Sequence, residues 1–154
     1  MSVAYIASGL TLGFCAETQV GARPETGYTQ VCRLRSMPDF NESPNGIEVT
    51  ELDETEWKQY IADLRDSGGA KAFHANLTDD LMTKWAALRT AYETAQAAGK
   101  DIWFEIKHPK LAKSFFFCGE PSPLGFGGGE VSNALEVDCY ITPHTIHGWD
   151  DKST

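Results

Sequence analysis

The sequence predicts a mainly β protein with some α content: an antiparallel sheet, arranged as a β-sandwich or barrel, with one α-helix packed on it. Three observations lead there. Five or six short runs alternate apolar and polar residues, the period of a half-buried strand. One segment, residues 78–98, carries an apolar stripe at helical spacing instead. The order of the runs lacks the βαβα alternation that builds a parallel sheet.

Residues 29–36 (TQVCRLRS) set Val31, Arg33 and Arg35 on one face and Cys32 and Leu34 on the other, as a strand does. The run stops at Met37-Pro38-Asp39, and residues 41–46 (NESPNG) are dense in turn formers. Residues 47–52 (IEVTEL) read as a second short strand, with Ile47 and Val49 on one face. Asp53 then stands as an N-cap with Glu56 three residues on, and Trp57, Tyr60, Ile61 and Leu64 follow at helical spacing until Gly68-Gly69. A short amphipathic helix or helical loop is expected there.

Residues 73–77 form a brief strand, after which Thr78 caps the long helix. Asp79 and Asp80 lie in its first turn, where the positive helix end favours acids, and Gly99 lies just past its end. Leu81, Trp85, Leu88, Tyr92 and Ala95 form its core-facing stripe. Residues 101–107 (DIWFEIK) return to period two, with Ile102, Phe104 and Ile106 on one face and Trp103, Glu105 and Lys107 on the other. Pro109 interrupts, and residues 113–118 (KSFFFC) complete a hairpin. A loop, residues 120–129 (EPSPLGFGGG), precedes the longest alternating run, residues 130–142 (EVSNALEVDCYIT). Val131, Leu135, Val137, Cys139 and Ile141 share one face of it; Glu130, Ser132, Glu136 and Asp138 share the other. One dry and one wet face in tight register are expected.

A chain of 154 residues defaults to one domain, and its 42% hydrophobic and 11% aromatic content can offset the ordering entropy of a folded core. The net charge of -9 excludes nucleic-acid capture by a basic face. The acidity sits in two blocks, residues 39–66 at -7 and residues 120–154 at -5. Such blocks are either solvated surface or a field of one sign that repels something negative. No run approaches the roughly 20 apolar residues of a membrane-spanning helix. Residues 1–15 lack Lys and Arg and are broken by Ser8, Gly9 and Gly13, so no signal peptide is read and synthesis in the cytosol is expected. Cys15, Cys32, Cys118 and Cys139 are scattered, which favours free thiols over a disulfide framework.

Catalytic chemistry is hard to place. The Gly125-Phe126-Gly127-Gly128-Gly129 stretch lacks the Lys and Ser/Thr of a phosphate loop and precedes a strand, not a helix. His144 and His147, near Asp150 and Asp151, have no third metal ligand at a recognisable spacing, and His74 and His108 have no visible partner. No nucleophile motif occurs. The expectation is a protein that is not an enzyme and has no cofactor and no metal.

Several strings occur together in order: Ser36-Met37-Pro38-Asp39-Phe40, residues 47–53 (IEVTELD), residues 57–64 (WKQYIADL), residues 102–106 (IWFEI), residues 115–119 (FFFCG), residues 135–138 (LEVD) and Ile141-Thr142-Pro143. Over residues 29–149 the chain resembles the major tail tube proteins of long, non-contractile-tailed bacteriophages, the siphophages. It departs from them at Ala62-Asp63, where family members commonly have Gly. The resemblance implies a β-sandwich or incomplete barrel flanked by one α-helix, with hexameric rings stacked into the tube through which the genome reaches the host cell. It further implies a single domain over residues 1–154, with an N-terminal arm (1–28), an inter-subunit loop (53–72) and a C-terminal tail (143–154). The implied partners are other copies of the chain, a tape measure protein inside the tube, and tail terminator and distal tail proteins at its ends. DNA would pass without specific binding, there would be no membrane insertion, and the protein would reside in the virion after assembly in the host cytoplasm. Contractile-tail tubes and the inner tube of type VI secretion share this architecture, so fold alone does not choose among them.

Under that resemblance Glu48, Glu51, Glu130, Glu136 and Asp138 are candidates to line the lumen, where like charge keeps phosphates off the wall. Trp57, Tyr60, Phe126 and Trp149 are candidate subunit-interface anchors, because aromatics are enriched at binding hot spots. The alternative is a non-polymerising acidic binding module, an adaptor or a DNA mimic.

Overall fold

In chain order the elements are β1 (Thr11–Ala16), β2 (Thr29–Cys32), β3 (Leu34–Ser36), β4 (Gly46–Glu48), β5 (Tyr60–Ala62), β6 (Lys71–Asn76), α1 (Asp79–Ala97), β7 (Ile102–Lys107), β8 (Lys113–Pro121) and β9 (Glu136–Asp151). The computed structural model describes residues 4–6, 8–41, 46–62 and 69–154. Two units are distinguished: Met1–Pro38 with Ala70–Thr154, and Asp39–Gly69.

The first unit is a seven-stranded antiparallel sheet in the order β2-β1-β7-β8-β9-β6-β3, curled into a half-barrel. Its curvature follows from its connectivity. β2 and β3 lie at opposite edges of the sheet, yet only Arg33 separates them in sequence. Two peptide steps span at most about 7.6 Å, so the edges must approach each other there. The single strand expected over residues 29–36 is thus shared, its first half pairing with β1 and its second half with β6. β9 is shared in the same way: residues up to Ile141 pair with β6, and those from Ile141 onward pair with β8.

Helix α1 forms as expected. The Thr78 hydroxyl accepts the Leu81 N–H at 3.1 Å, and Asp79 and Asp80 occupy the first turn. At the far end Gly99 takes φ +71°, which an L side chain resists, and lets the Lys100 N–H return to the Ala95 carbonyl at 2.8 Å. Leu81, Trp85, Leu88 and Ala95 are buried. The main core joins this stripe to one sheet face, where Leu12, Phe73, Phe104, Phe117, Cys139 and Ile141 are buried. Phe117 stacks on Phe104 with ring centroids 5.1 Å apart and on Phe73 at 6.4 Å.

The opposite face of β7 and β8 is also dry. Cross-strand register sets Trp103 against Cys118 and Glu105 against Phe116, and all four are buried. Tyr28 packs against this cluster and the Arg23 guanidinium lies 4.5 Å from the centre of the Phe116 ring. Buried polar groups here are largely satisfied. Glu17 accepts the Trp103 indole N–H at 2.9 Å and the backbone N–H groups of Asp101 and Gly21 at 2.9 and 3.0 Å. Glu105 accepts the hydroxyl and N–H of Ser153 at 2.6 and 3.1 Å, binding the last residues of the chain to the sheet. The hydroxyls of Tyr28 and Ser114 are buried without a hydrogen-bond partner among the described residues.

The second unit contains the antiparallel hairpin β4–β5, in register from Gly46 opposite Ala62 to Glu48 opposite Tyr60. Pairing continues past the strands, the Val49 N–H reaching the Gln59 carbonyl at 2.8 Å and the Gln59 N–H reaching the Thr50 hydroxyl at 2.8 Å. The helix expected after Asp53 is therefore absent through residue 62, and residues 63–68 of that expectation lie outside the described residues. The Glu54 carboxylate accepts the N–H groups of Glu56 and Trp57 at 3.0 and 3.2 Å, which caps a turn where the sequence suggested a helix start. Those two N–H groups hold its carboxyl below the usual carboxylate range.

One further expectation changes, and the N-terminal span contains a strand. Thr11–Ala16, inside the span read as an N-terminal arm, pairs along its length with β7. The last long strand begins at Glu136 rather than Glu130: residues 130–135 turn, with the Asn133 N–H on the Glu130 carbonyl at 3.2 Å and Val131 fully exposed. Only Leu135 of this run joins the ladder, its carbonyl accepting the Leu77 N–H at 2.9 Å, and apolar alternation alone could not reveal where the pairing stops.

Candidate assembly surfaces

Four surfaces carry the residues singled out from sequence. On the first, β9 meets β6. His74 stands opposite Asp138 in the strand register, and its ring bridges two carboxylates: Nδ1 lies 2.7 Å from Asp138 and Nε2 2.9 Å from Glu136. Arg35 of β3 pairs with the other oxygen of Glu136. Both ring contacts are hydrogen bonds at once only when both nitrogens carry protons or one carboxyl does. Glu136 is therefore tied to a guanidinium and an imidazole, and Asp138, exposed beside them, is the freer charge. Neither Arg35 nor His74 was singled out from sequence, because the cross-strand register that places them there is a tertiary feature. Glu130 is not on this surface. It sits in the 130–135 turn, where its carboxylate accepts from the Asn133 amide at 3.0 Å.

The hairpin of the second unit is the next surface. Glu48, Glu51, Trp57 and Tyr60 are all exposed on it, together with Ile47, Val49 and Leu52. Trp57 is 77% exposed, so its own hairpin does not bury it. Acidic and aromatic side chains thus share one small element.

The third surface is an open groove of about 370 Å³ between α1 and the chain after β8, lined by Leu77, Met82, Trp85, Arg89 and Phe126 among others. Its floor is fixed by two hydrogen bonds to backbone carbonyls, Trp85 Nε1 to Ser122 at 2.8 Å and Arg89 to Pro121 at 2.5 Å. Phe126 is 76% exposed at its rim. A glycine is required next to it, because a Cβ on Gly127 would come within 2.3 Å of the Glu136 carbonyl oxygen.

The fourth surface is the second half of β9. Trp149 is exposed there and meets the Phe115 ring edge-on at 5.6 Å. Residues 143–151, read from sequence as tail, belong to this strand. His144 and His147 are the extra residues at two irregularities in the β8–β9 register, where the pairing passes from Gly119–Pro143 to Cys118–Thr145 and from Phe117–Ile146 to Phe116–Gly148. They turn to different acids, His144 to Asp101 at 3.4 Å and His147 to Asp150 at 2.8 Å. The His147 hydrogen bond, the Asp151 N–H and the Arg23 charge hold the Asp150 carboxyl down at about 2. Among the described residues no group of three or more His, Cys, Asp or Glu could hold a metal ion. Cys118 and Cys139 are buried and not in disulfides.

No known family matches the sequence, and no curated protein does. The fold does have solved counterparts. A chain in the cryo-EM structure of the anti-feeding prophage (AFP) baseplate, six-fold symmetrised, is similar with a TM-score of 0.63 at 7% identity, over 96% of this chain and 97% of that one. A chain in the cryo-EM structure of the anti-feeding prophage cap, the AFP tube terminating cap, is similar with a TM-score of 0.55 at 10% identity, over 98% and 95% of the two chains. At these identities the likeness is one of fold, and it covers both chains almost end to end. Among the described residues no helix is long and apolar enough to cross a membrane.

Proposed function

We propose that this chain is a structural protein of a phage tail or phage-tail-like particle, and that copies of it form hexameric rings stacked into a tail tube for genome delivery. The observation that carries the reading is the end-to-end fold likeness to a chain of the AFP baseplate, whose structure is six-fold symmetrised. Fold does not by itself assign function. Two features of this chain add support: exposed aromatics concentrated on the hairpin and at the groove rim, and polar contacts that tie neighbouring strands together. On this reading the chain has no catalytic role. It is assembled in the host cytoplasm into the virion, with a tape measure protein inside and terminator and distal proteins at the ends.

The acids have a part in this reading. A hexamer would carry about six times the formal charge of one chain per ring. With a Debye length of about 8 Å at physiological salt, repulsion of DNA acts only close to the wall. Glu48, Glu51 and Asp138 are the better lining candidates, since Glu136 is neutralised by Arg35. Glu130 contributes from a turn.

Sedimentation and negative-stain microscopy of the concentrated protein test the proposal. Rings or tubes are the expected result. A chain that stays monomeric at every concentration, with or without tail proteins co-expressed, would overturn it and favour the acidic binding module.

A further inference from the structure

A strongly acidic chain that associates with itself must offset its own repulsion somewhere. The described part of the hairpin, residues 46–62, holds Glu48, Glu51, Asp53, Glu54 and Glu56 against Lys58 alone. The same element exposes Trp57, Tyr60 and Leu52. It is a negative surface with an aromatic centre.

Its complement is at one end of the sheet of the first unit. The turn between β7 and β8 brings Lys107, Lys110 and Lys113 together, and Lys152 joins them by donating to the Pro109 carbonyl at 3.4 Å. None of these four lysines makes an ion pair among the described residues, whereas Arg23, Arg35, Lys84 and Arg89 each do. Four carboxylates are near: Glu105, buried under Ser153; Asp151, opposite Lys113 in the register; Asp150, opposite Ser114 and paired with Arg23; and Glu25, which lines a pocket with Lys152 and Asp151, so the four lysines and Arg23 outnumber them by one. The patch therefore keeps a positive balance in a chain of net charge -9.

Apolar side chains lie among these lysines. His108 is buried, accepts the Lys110 N–H on Nδ1 at 3.2 Å and donates from Nε2 to the Ile6 carbonyl at 2.9 Å, which fastens residues 5 and 6 to the turn. Tyr5 stacks on His108 with centroids 6.0 Å apart and has the Lys110 ammonium at the same distance from its ring. Ile6 is 77% exposed, and Leu111 of the turn is exposed as well.

We infer that the acidic, aromatic hairpin of one copy docks on the basic β7–β8 turn of the next copy, around Lys110, Lys113, Tyr5 and Ile6. The occupant is argued from charge: the hairpin is the chain's most acidic described element and the turn is a cluster of unpaired cations. Such a contact joins two different surfaces, so it is heterologous and propagates into a closed ring or a stack rather than stopping at a dimer. Opposite charge guides the approach and sets the register, and the aromatics supply the buried area. This inference rests on the self-assembly proposed above and specifies its contact.

Charge exchange within one chain tests it. Lys110→Glu with Lys113→Glu, or Asp53→Lys with Glu56→Lys, should each lower the sedimentable fraction at least tenfold. The milder Lys110→Gln with Lys113→Gln should lower it less, and circular dichroism of every variant should match the parent. The chain carrying both reversals, with the charges exchanged between the two surfaces, should recover assembly. If the parent chain assembles and the reversed variants assemble equally well, this contact is wrong while the tail reading stands. If both reversals fail and the exchanged chain fails too, direct pairing is also refuted. A parent chain that never assembles removes the tail reading and this inference together.

Discussion

The carboxylate of Glu17 accepts the indole N–H of Trp103 at 2.9 Å and, with two backbone N–H groups, is only 4% exposed. This one side chain fastens the segment after β1 to the start of β7, and its burial is tolerated because three donors replace water. Glu17→Ala would leave those donors unsatisfied and should cost about 3 kcal/mol, a fall in Tm of roughly 6–12 °C. Glu17→Gln keeps a carbonyl for part of the set and should cost about 1–2 kcal/mol. Denaturant unfolding of the dilute protein, monitored by Trp fluorescence, measures both.

Tyr28 gives the opposite sign. Its hydroxyl is buried without a partner among the described residues, and burial pushes the phenol above its ordinary range. Tyr28→Phe keeps the ring against Phe116 and removes only the unpaired group. It should stabilise the fold by about 1 kcal/mol, and a loss of stability would mean that the hydroxyl has a partner after all.

Acid should act on Asp150. Its folded-state value of about 2 lies below the ordinary 3.8, so its contribution is present above pH 4 or so and is lost as pH falls through the folded value. Asp150→Asn should therefore be less stable than the parent at neutral pH, and the difference should shrink toward pH 2. Urea midpoints measured across that window check the sign. Equal midpoints at neutral pH would show that the His147 and Arg23 contacts contribute nothing.

Thiol chemistry should separate the cysteines. Burial pushes the Cys118 thiol up to about 12 and raises Cys15 as well, but Cys15 is partly exposed. In the native protein at pH 8, alkylation followed by peptide mass mapping should leave Cys118 unmodified and label Cys15 slowly. Rapid labelling of Cys118 would show that the second face of the sheet opens.

Trp57 and Tyr60 are outside any core, so truncating them tests assembly apart from folding. Trp57→Ala with Tyr60→Ala should leave the unfolding midpoint within about 0.5 kcal/mol of the parent, as surface substitutions do. The same variant should lose most of its sedimentable material. A large loss of stability instead would place both aromatics in the chain's own core.

Much of this architecture was written in the period of the sequence. The stripe from Leu81 to Ala95, with Thr78 before it and Gly99 after it, specifies α1 through local interactions alone. The hairpin around Pro109 and the pairing half of β9 follow from alternation in the same way. What escaped was set at a distance. Thr11–Ala16 includes Gly13 and lacks clean alternation, and it becomes a strand because β7 offers it a full register. Trp103 and Glu105, on the face opposite Ile102, Phe104 and Ile106, are buried because residues 17–28 and 152–154 cover them, which alternation alone does not show. Trp57 and Tyr60 fit a helical period over barely one turn, too short to outweigh the hairpin pairing of Val49, Thr50 and Gln59. For the candidate surfaces, exposure of the aromatics was legible, whereas the ties of Glu136 to Arg35 and His74 needed the register.

The two irregularities at His144 and His147 bear on how the open edge of β9 meets other chains. From residue 142 onward, β9 has a strand on one side only among the described residues, a long row of free donors and acceptors that could recruit stray chains into amyloid-like growth. Pro143 omits one donor from that row, and each inserted histidine throws the following residues out of step. The edge is thereby made a poor template for stray strand pairing.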